Sequence, residues 1–197
     1  MIIAFLGESI KAYRENFLPL LGCLELHCPY CLSSTHWHCW YERFVKGEEL
    51  PIRILRVKCC GCSKTHAVLP DFLSPYKHYP QLVHEKVIEQ VTQDGVGVEH
   101  VEIPVPNEAE TRGTWPSIDT MRLWVRRYRK RERQYIGAVA SFLERHGLSI
   151  GVWKQGFDCF RSLIGLAEYL VQQSIRGSCL LGKMNILLTI SQPRLWI

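Results

Sequence analysis

Two closely spaced cysteine pairs constrain this chain more than any other feature of its sequence. The first pair is Cys28 and Cys31 in "CPYC", and the second is Cys59 and Cys62 in "CCGC". Two thiolates separated by two residues can both face one tetrahedral ion, and a second such pair completes a set of four ligands. The 27 residues between the pairs are enough for a β-hairpin that leaves one pair and returns to the other.

This ligand set favours a single structural Zn²⁺ ion, since closed sites of four thiolates at this spacing are typical of zinc. The spacing therefore predicts a zinc ribbon over residues 25–79, with the ion bound by Cys28, Cys31, Cys59 and Cys62. An iron–sulfur cluster and a group of buried free thiols are the alternatives. Gly61 is expected to ease the backbone turn of the second pair.

The other cysteines and several histidines near the pairs are not expected to bind the ion. Cys60 should point away from the metal, Cys39 should be packed within a strand, and Cys159 and Cys179 should lie in the helical core, whereas Cys23 is too irregularly spaced for a ligand pair. His36, His38 and His66 are alternative ligands that we interpret as strand or loop residues. The chain has nine cysteines, an odd number, and no recognisable signal peptide. These features favour metal binding over disulfides, and they favour a cytoplasmic location.

The remaining pattern predicts an α+β fold, a small N-terminal zinc ribbon followed by a mostly α-helical region. The strands of the hairpin are expected in "THWHCWYERFV" and "LPIRILRVKC", and helices should begin near Pro80 and Ser117. The second of these helices either breaks before Gln134 or continues to Gly147. A last helix is expected within residues 154–177, and "NILLTISQPRLWI" fits either a strand or an extended segment.

We divide the chain into four parts on these patterns. Residues 1–24 are a helical lead-in that Pro19 and Gly22 interrupt, and residues 25–79 are the ribbon. Residues 80–133 are a helix-turn-helix-like region with an irregular linker at 94–116, and residues 134–197 are a C-terminal helical region.

The positive charge of the chain is concentrated in one predicted helix. Residues 122–133, "RLWVRRYRKRER", carry a net charge of +6, while the rest of the chain carries −1. Arginines at spacings of three and four share one face, opposite an apolar face. The segment has seven basic residues and one acidic residue, so pairing within the helix cannot neutralise its charge. This face predicts binding to double-stranded DNA through Ser117, Thr120, Arg122, Arg126, Arg127, Arg129, Lys130 and Arg133. Arg53, Arg56, Lys58 and Lys64 of the ribbon are further candidate contacts.

The run "CPYC…RILRVKCCGCSKTHAVLPDFLSPYKHY" resembles a bacterial zinc-ribbon domain that precedes helix-turn-helix segments in proteins related to transposases. "WPSIDTMRLWVRRY" is similar to the recognition helix of such proteins, and the resemblance covers about residues 25–130. It implies DNA binding, zinc at the four cysteines and a link to mobile elements. The segment before the predicted recognition helix departs from the pattern, because its prolines and glycines should prevent a helix there.

These observations lead to one expected function and one alternative. The chain is expected to be a zinc-ribbon DNA-binding protein, a transposition-related or regulatory factor without its own nuclease domain and without enzymatic activity. The alternative is a zinc-ribbon module that docks onto a partner protein, or onto a second copy of itself, within a larger assembly. No membrane partner is expected.

Overall fold

The computed structural model describes residues 1–22, 24–92, 94–103, 115–145 and 177–191, and these residues form an α+β fold. The described strands are β1 (Ile2–Ala4), β2 (Thr35–Arg43), β3 (Ile52–Cys59) and β4 (Thr65–Pro70). The described helices are α1 (Ile10–Gly22), α2 (Gln81–Thr92), a short 3₁₀ turn (Val98–His100), α3 (Ile118–Arg145) and α4 (Leu180–Ser191).

The four strands form one sheet in the order β1, β4, β3, β2. The pairs β2 with β3 and β3 with β4 are antiparallel, whereas β1 joins β4 in parallel. Thr35, at the start of β2, lies opposite Cys59, at the end of β3. The β2–β3 pair therefore begins just after the first cysteine pair and ends at the second. A register shift between Trp37 and Cys39 marks an irregularity in β2.

Strand β1 and helix α1 belong to the core of this sheet rather than to a separate lead-in. Ile2 and Ile3 are buried, and the hydroxyl of Tyr13 donates a hydrogen bond of 2.6 Å to the backbone carbonyl of Arg53. Burial of that hydroxyl raises the pKa of Tyr13. Helix α1 also continues past Pro19, which we expected to interrupt it, and ends at Gly22.

Helices α2 and α3 pack on each other through a second apolar cluster. Val87 of α2 meets Met121, Trp124 and Val125 of α3 there. The two helices are joined by residues 93–117 rather than by the turn of about three to four residues that a helix-turn-helix uses. The first part of this connection is packed on the helices, because Val98, Val101 and Ile103 contact the apolar cluster. Helix α3 runs without a break through residue 134, where the sequence analysis places a domain boundary.

The segment with the sequence "NILLTIS" is helical, which corrects the expectation of a strand or an extended segment. It forms the C-terminal part of α4, where Asn185, Leu187 and Leu188 are almost fully buried. A helix that is apolar on most sides lacks the 3.6-residue alternation that would reveal it in the sequence. Residues 154–176 of the last predicted helix, together with Cys23 and Cys159, lie outside the described residues. Within the described ranges no helix has the length and apolar character needed to cross a bilayer.

Candidate metal centre and basic helix face

The structure brings the two cysteine pairs together at one end of the β2–β3 pair. The four sulfur atoms of Cys28, Cys31, Cys59 and Cys62 all lie within 4.8 Å of one another. Sγ of Cys28 is 3.6 Å from Sγ of Cys62, and Sγ of Cys31 is 3.4 Å from Sγ of Cys59. A tetrahedral ion with metal–sulfur bonds of about 2.3 Å holds its sulfurs about 3.8 Å apart. The four thiols therefore fit a single metal ion.

Both cysteine pairs adopt the same local backbone form. The backbone N–H groups of Gly61 and Cys62 each point at Sγ of Cys59 across 3.3 Å. The residue after the second cysteine of each pair has a left-handed conformation, with φ of 60° at Leu32 and 57° at Ser63. Residues other than glycine and asparagine are sterically strained in this conformation. The surrounding structure therefore holds the two turns in place.

The sequence predicts that Gly61 eases the backbone turn, but the structure shows that glycine is needed here for close packing. Its φ is not in the left-handed region, so the turn itself does not demand glycine. A Cβ atom at this position would instead lie 3.0 Å from Cβ of Ser33 and 3.5 Å from Sγ of Cys31. Glycine at 61 therefore allows the two cysteine pairs to approach closely.

The neighbours of Cys31 favour its thiolate form. Hydrogen bonds with the side chain and backbone of Ser33 lower the pKa of Cys31 to about 6. At Cys62, a hydrogen bond with the backbone of Lys64 lowers the pKa, but burial and the other three cysteines outweigh it and raise the pKa to about 11.

The buried ring of His66 places Nε2 3.3 Å from Sγ of Cys28, and burial lowers the pKa of this histidine. A neutral imidazole with its hydrogen on Nε2 can donate that hydrogen to the sulfur, as residues around metal ligands commonly do.

The residues that we considered as alternative ligands lie outside the group of four. His66 is a neighbour of the site, and His36 is directed at Cys60, with Nδ1 3.5 Å from Sγ. Cys60 is exposed and lies outside the group of four sulfurs. Cys39 is exposed as well, so the expectation that it is packed was wrong. Cys179 is buried, as expected.

Helix α3 begins as the sequence indicates and separates its apolar and basic faces. The backbone N–H of Thr120 donates to Oγ of Ser117 at 3.2 Å, so Ser117 caps the helix. Met121, Trp124, Val125 and Tyr128 are buried. Of the predicted DNA contacts at the start of the helix, Ser117 is exposed and Thr120 is half-buried. The six predicted cations are all exposed: Arg122, Arg126, Arg127, Arg129, Lys130 and Arg133. In the described part of the chain, Arg122 alone among these six forms salt bridges, at 3.6 Å to Asp119 and 3.9 Å to Glu99.

The candidate contacts of the ribbon do not share one surface. Arg53 and Arg56 are three residues apart on the regular strand β3, so their side chains point to opposite faces of the sheet. The guanidinium of Arg53 lies 5.5 Å from the ring centre of Trp40, and that of Arg56 lies 4.7 Å from the ring centre of Tyr41.

The two lysines are placed differently. Lys58 is half-buried, while Lys64 is exposed and lies over Tyr30 at 4.3 Å. Arg56 and Lys58 are two residues apart on β3 and share one face, whereas Arg53 lies on the other face, so the four cations do not form one surface.

Sequence reasoning missed one cluster of charged residues. Arg127 and Arg131 of α3 line a cleft together with Lys77, which lies in the loop between β4 and α2. Lys77 is 50 residues from Arg127 in the sequence, and neither its spacing nor its local pattern indicates that the two residues line one cleft.

A family model described as a domain of unknown function (DUF6431) matches residues 28–108. The chain is similar to this family over both cysteine pairs, the strands β2 to β4 and helix α2, whereas helix α3 lies beyond the match. No curated protein and no solved structure matches the chain. None of these comparisons relates the chain to transposases, and that part of the sequence interpretation stays a hypothesis.

Proposed function

We propose that this protein binds double-stranded DNA through the exposed face of α3, on a scaffold stabilised by one zinc ion. The observation that carries the proposal is the set of exposed cations on this face, most of which have no acidic partner among the described residues. Arginine and lysine contacts to phosphates supply most of the affinity of such interfaces and fix the protein on the duplex. A capped, rigid helix holds these side chains in fixed relative positions.

Zinc is the metal that we propose for the four-cysteine site, which would make the β2–β3 pair with its two cysteine turns a zinc ribbon. Four thiolates close the coordination sphere and leave no position for a reacting water molecule, so the ion serves folding rather than catalysis. The proposal therefore assigns no enzymatic activity to this site. A role in regulation or in transposition is the corresponding biological proposal, and it depends on the resemblance described above.

Duplex binding is tested most sharply with two pairs of substitutions that remove equal charge. Arg126 and Arg129 are exposed on the proposed face, whereas Lys11 and Lys46 are exposed on α1 and in the loop after β2. We expect R126A/R129A to weaken binding to a random-sequence duplex and to reduce the slope of log K against log salt by about 2. We expect K11A/K46A to leave both quantities close to those of the unchanged protein.

Fluorescence anisotropy over a range of salt concentrations measures both quantities. Equal binding by R126A/R129A and K11A/K46A would show that the charge of the chain, rather than this face, attracts the duplex. Absence of binding by the unchanged protein at low salt would overturn the proposal.

A protein-docking role is the second candidate, and exposed aromatic residues of the edge strand favour it. Trp37 is 55 % exposed and Phe44, just beyond β2, is 65 % exposed. Trp37 also lines an open groove of about 570 Å³ beside Phe17 and Leu50. Affinity purification from the native host, comparing the unchanged protein with W37A/F44A, tests this role: loss of a stoichiometric partner in the variant supports docking, and an unchanged partner set contradicts it.

A further inference from the structure

A small cleft lies where the loop between β4 and α2 meets helices α2 and α3. Its volume is about 180 Å³, which is below the range of roughly 300–1,000 Å³ that drug-sized ligands occupy. The loop contributes Lys77, helix α2 contributes His84, and helix α3 contributes Trp124, Arg127 and Arg131. The size suits an ion or a single functional group.

Three cations converge on this cleft and none of the residues that line it is acidic. Arg127 and Arg131 are one helical turn apart, a spacing at which like charges repel each other. Burial, and then the charge of Arg127, lower the pKa of Lys77 to about 8. Positive charges held together without a counter-charge are the arrangement that an anion stabilises.

A buried histidine supplies a further donor. His84 is 1 % exposed and stacks on Trp124 with ring centres 3.6 Å apart. The ammonium of Lys77 can only donate, so its 3.2 Å contact with Nδ1 of His84 makes Nδ1 the acceptor and places the ring hydrogen on Nε2. Nε2 is buried and has no hydrogen-bond partner among the described residues. A buried N–H group without an acceptor is costly, and a bound anion would satisfy it.

The loop that carries Lys77 is held in a fixed shape. The guanidinium of Arg43 donates hydrogen bonds to the backbone carbonyls of Ser74 and Lys77. Tyr76 stands at the rim of the cleft with its side chain 85 % exposed and a left-handed backbone conformation, with φ of 59°. Strained residues of this kind occur preferentially at ligand sites. The donors of the cleft are therefore positioned before a ligand arrives.

We propose that this cleft binds a phosphate group, held by Lys77, Arg127, Arg131 and Nε2 of His84. Phosphate is favoured over a carboxylate because it offers more acceptor oxygens in a tetrahedral arrangement, and three cations with one N–H group can surround it. The phosphate can belong either to a nucleic-acid backbone or to a free phosphorylated compound. The inference goes beyond duplex binding, because inorganic phosphate should occupy the cleft whether or not the outer face of α3 binds DNA.

The test measures inorganic phosphate binding to the full, metal-loaded chain by ³¹P NMR line broadening and calorimetry at neutral pH. We expect saturable binding that R127Q and R131Q each weaken about tenfold, as loss of a charge-assisted hydrogen bond does. Arg145 is exposed near the end of the same helix and does not line the cleft, so R145Q is the matched control and should bind phosphate normally. Circular dichroism checks that each variant keeps its helices, and K77M provides an independent variant on the loop side.

Duplex titrations with the same variants distinguish the two sources of phosphate. If R127Q weakens duplex binding and inorganic phosphate competes with the duplex more strongly than chloride at equal ionic strength, the ligand is a backbone phosphate. If phosphate binds but duplex affinity is the same in R127Q and R145Q, the ligand is a free phosphorylated compound. The proposal is overturned if phosphate does not bind saturably, if acetate binds equally well, or if R127Q, R131Q and K77M all bind phosphate like R145Q.

Discussion

Oδ2 of Asp71 accepts two hydrogen bonds from Ser178, one from its backbone N–H at 2.5 Å and one from its hydroxyl at 2.8 Å. The residues are 107 positions apart, and the contact joins the end of β4 to the start of α4. A second carboxylate binds the same end of the helix, because Oε2 of Glu85 accepts a hydrogen bond of 2.7 Å from the backbone N–H of Leu181. Two acidic side chains from outside the helix therefore cap α4 at the end where its dipole favours negative charge.

Replacing Asp71 by alanine should destabilise the whole fold. The change removes a helix cap and leaves two half-buried donors of Ser178 without their acceptor, so we expect the free energy of unfolding to fall by about 2 kcal/mol. Urea denaturation followed by circular dichroism measures this loss. D94A removes a carboxylate from an exposed position and is the matched control. Equal stability of D71A and D94A would contradict a capping role.

Substitution of a ligand should release the metal, whereas substitution of its neighbour in the sequence should not. C59S removes one of the four converging thiols, and C60S removes an exposed thiol one position away. We expect C59S to lose more than about a hundredfold in metal affinity, since even changes to residues behind the ligands cost 10–100-fold. Metal analysis of the purified proteins and their thermal unfolding give the two readouts. A colourless protein with one zinc per chain supports the proposed ion, whereas visible absorption from iron would refute it.

Glycine in place of Leu32 should stabilise the first cysteine turn. A leucine with φ of 60° is strained by about 1–2 kcal/mol, and glycine removes that strain at an entropic cost of about 0.5–1 kcal/mol. Leu32 is also 72 % exposed, so little packing is lost. We expect L32G to raise the free energy of unfolding by up to about 1 kcal/mol. Leu50 is similarly exposed but lacks a left-handed conformation, so L50G should be neutral or destabilising. An increase in the free energy of unfolding of L50G as large as that of L32G would refute the explanation.

The stability of the protein should depend on pH through Lys77. Its pKa is about 8 in the folded protein against 10.5 for an ordinary lysine. Between these values the unfolded chain binds more protons, so the contribution of Lys77 to the free energy of unfolding rises with pH and levels off above 10.5.

Replacement of Lys77 by methionine isolates this effect from the titration of His84, while Arg127 and Arg131 keep the same place around the cleft. We expect K77M to be the more stable protein at pH 7, by on the order of 1–3 kcal/mol, and the difference to shrink as the pH rises to 10. Denaturation in phosphate-free buffer at both pH values measures the difference. A difference that does not change with pH would show that Lys77 is not titrating in this range.

The parts of the structure that the sequence predicts well are those set by local pattern. The cysteine spacing indicates both the four-thiol cluster and the paired strands between its halves, and Ser117 marks the first turn of α3. These features depend on residues close together in the sequence, where spacing and capping rules apply directly.

The features that sequence reasoning missed depend on contacts between distant residues. Strand β1 has three residues, and its parallel pairing with β4 has no local signature. Helix α4 is apolar on most sides and so shows no periodicity. The cleft cannot be read from the sequence either, because Lys77, His84 and Arg127 meet only when the loop and two helices pack together.

The position of α4 in the sequence also has a consequence for how the chain folds during synthesis. The strands β2 to β4 and both cysteine pairs have left the ribosome once residue 70 is exposed, so the metal site can close early. Helix α4, which packs against β1, α2 and α3, follows more than a hundred residues later. Until then the apolar surfaces that α4 covers are open to water, and exposed surfaces of this kind favour aggregation of a nascent chain.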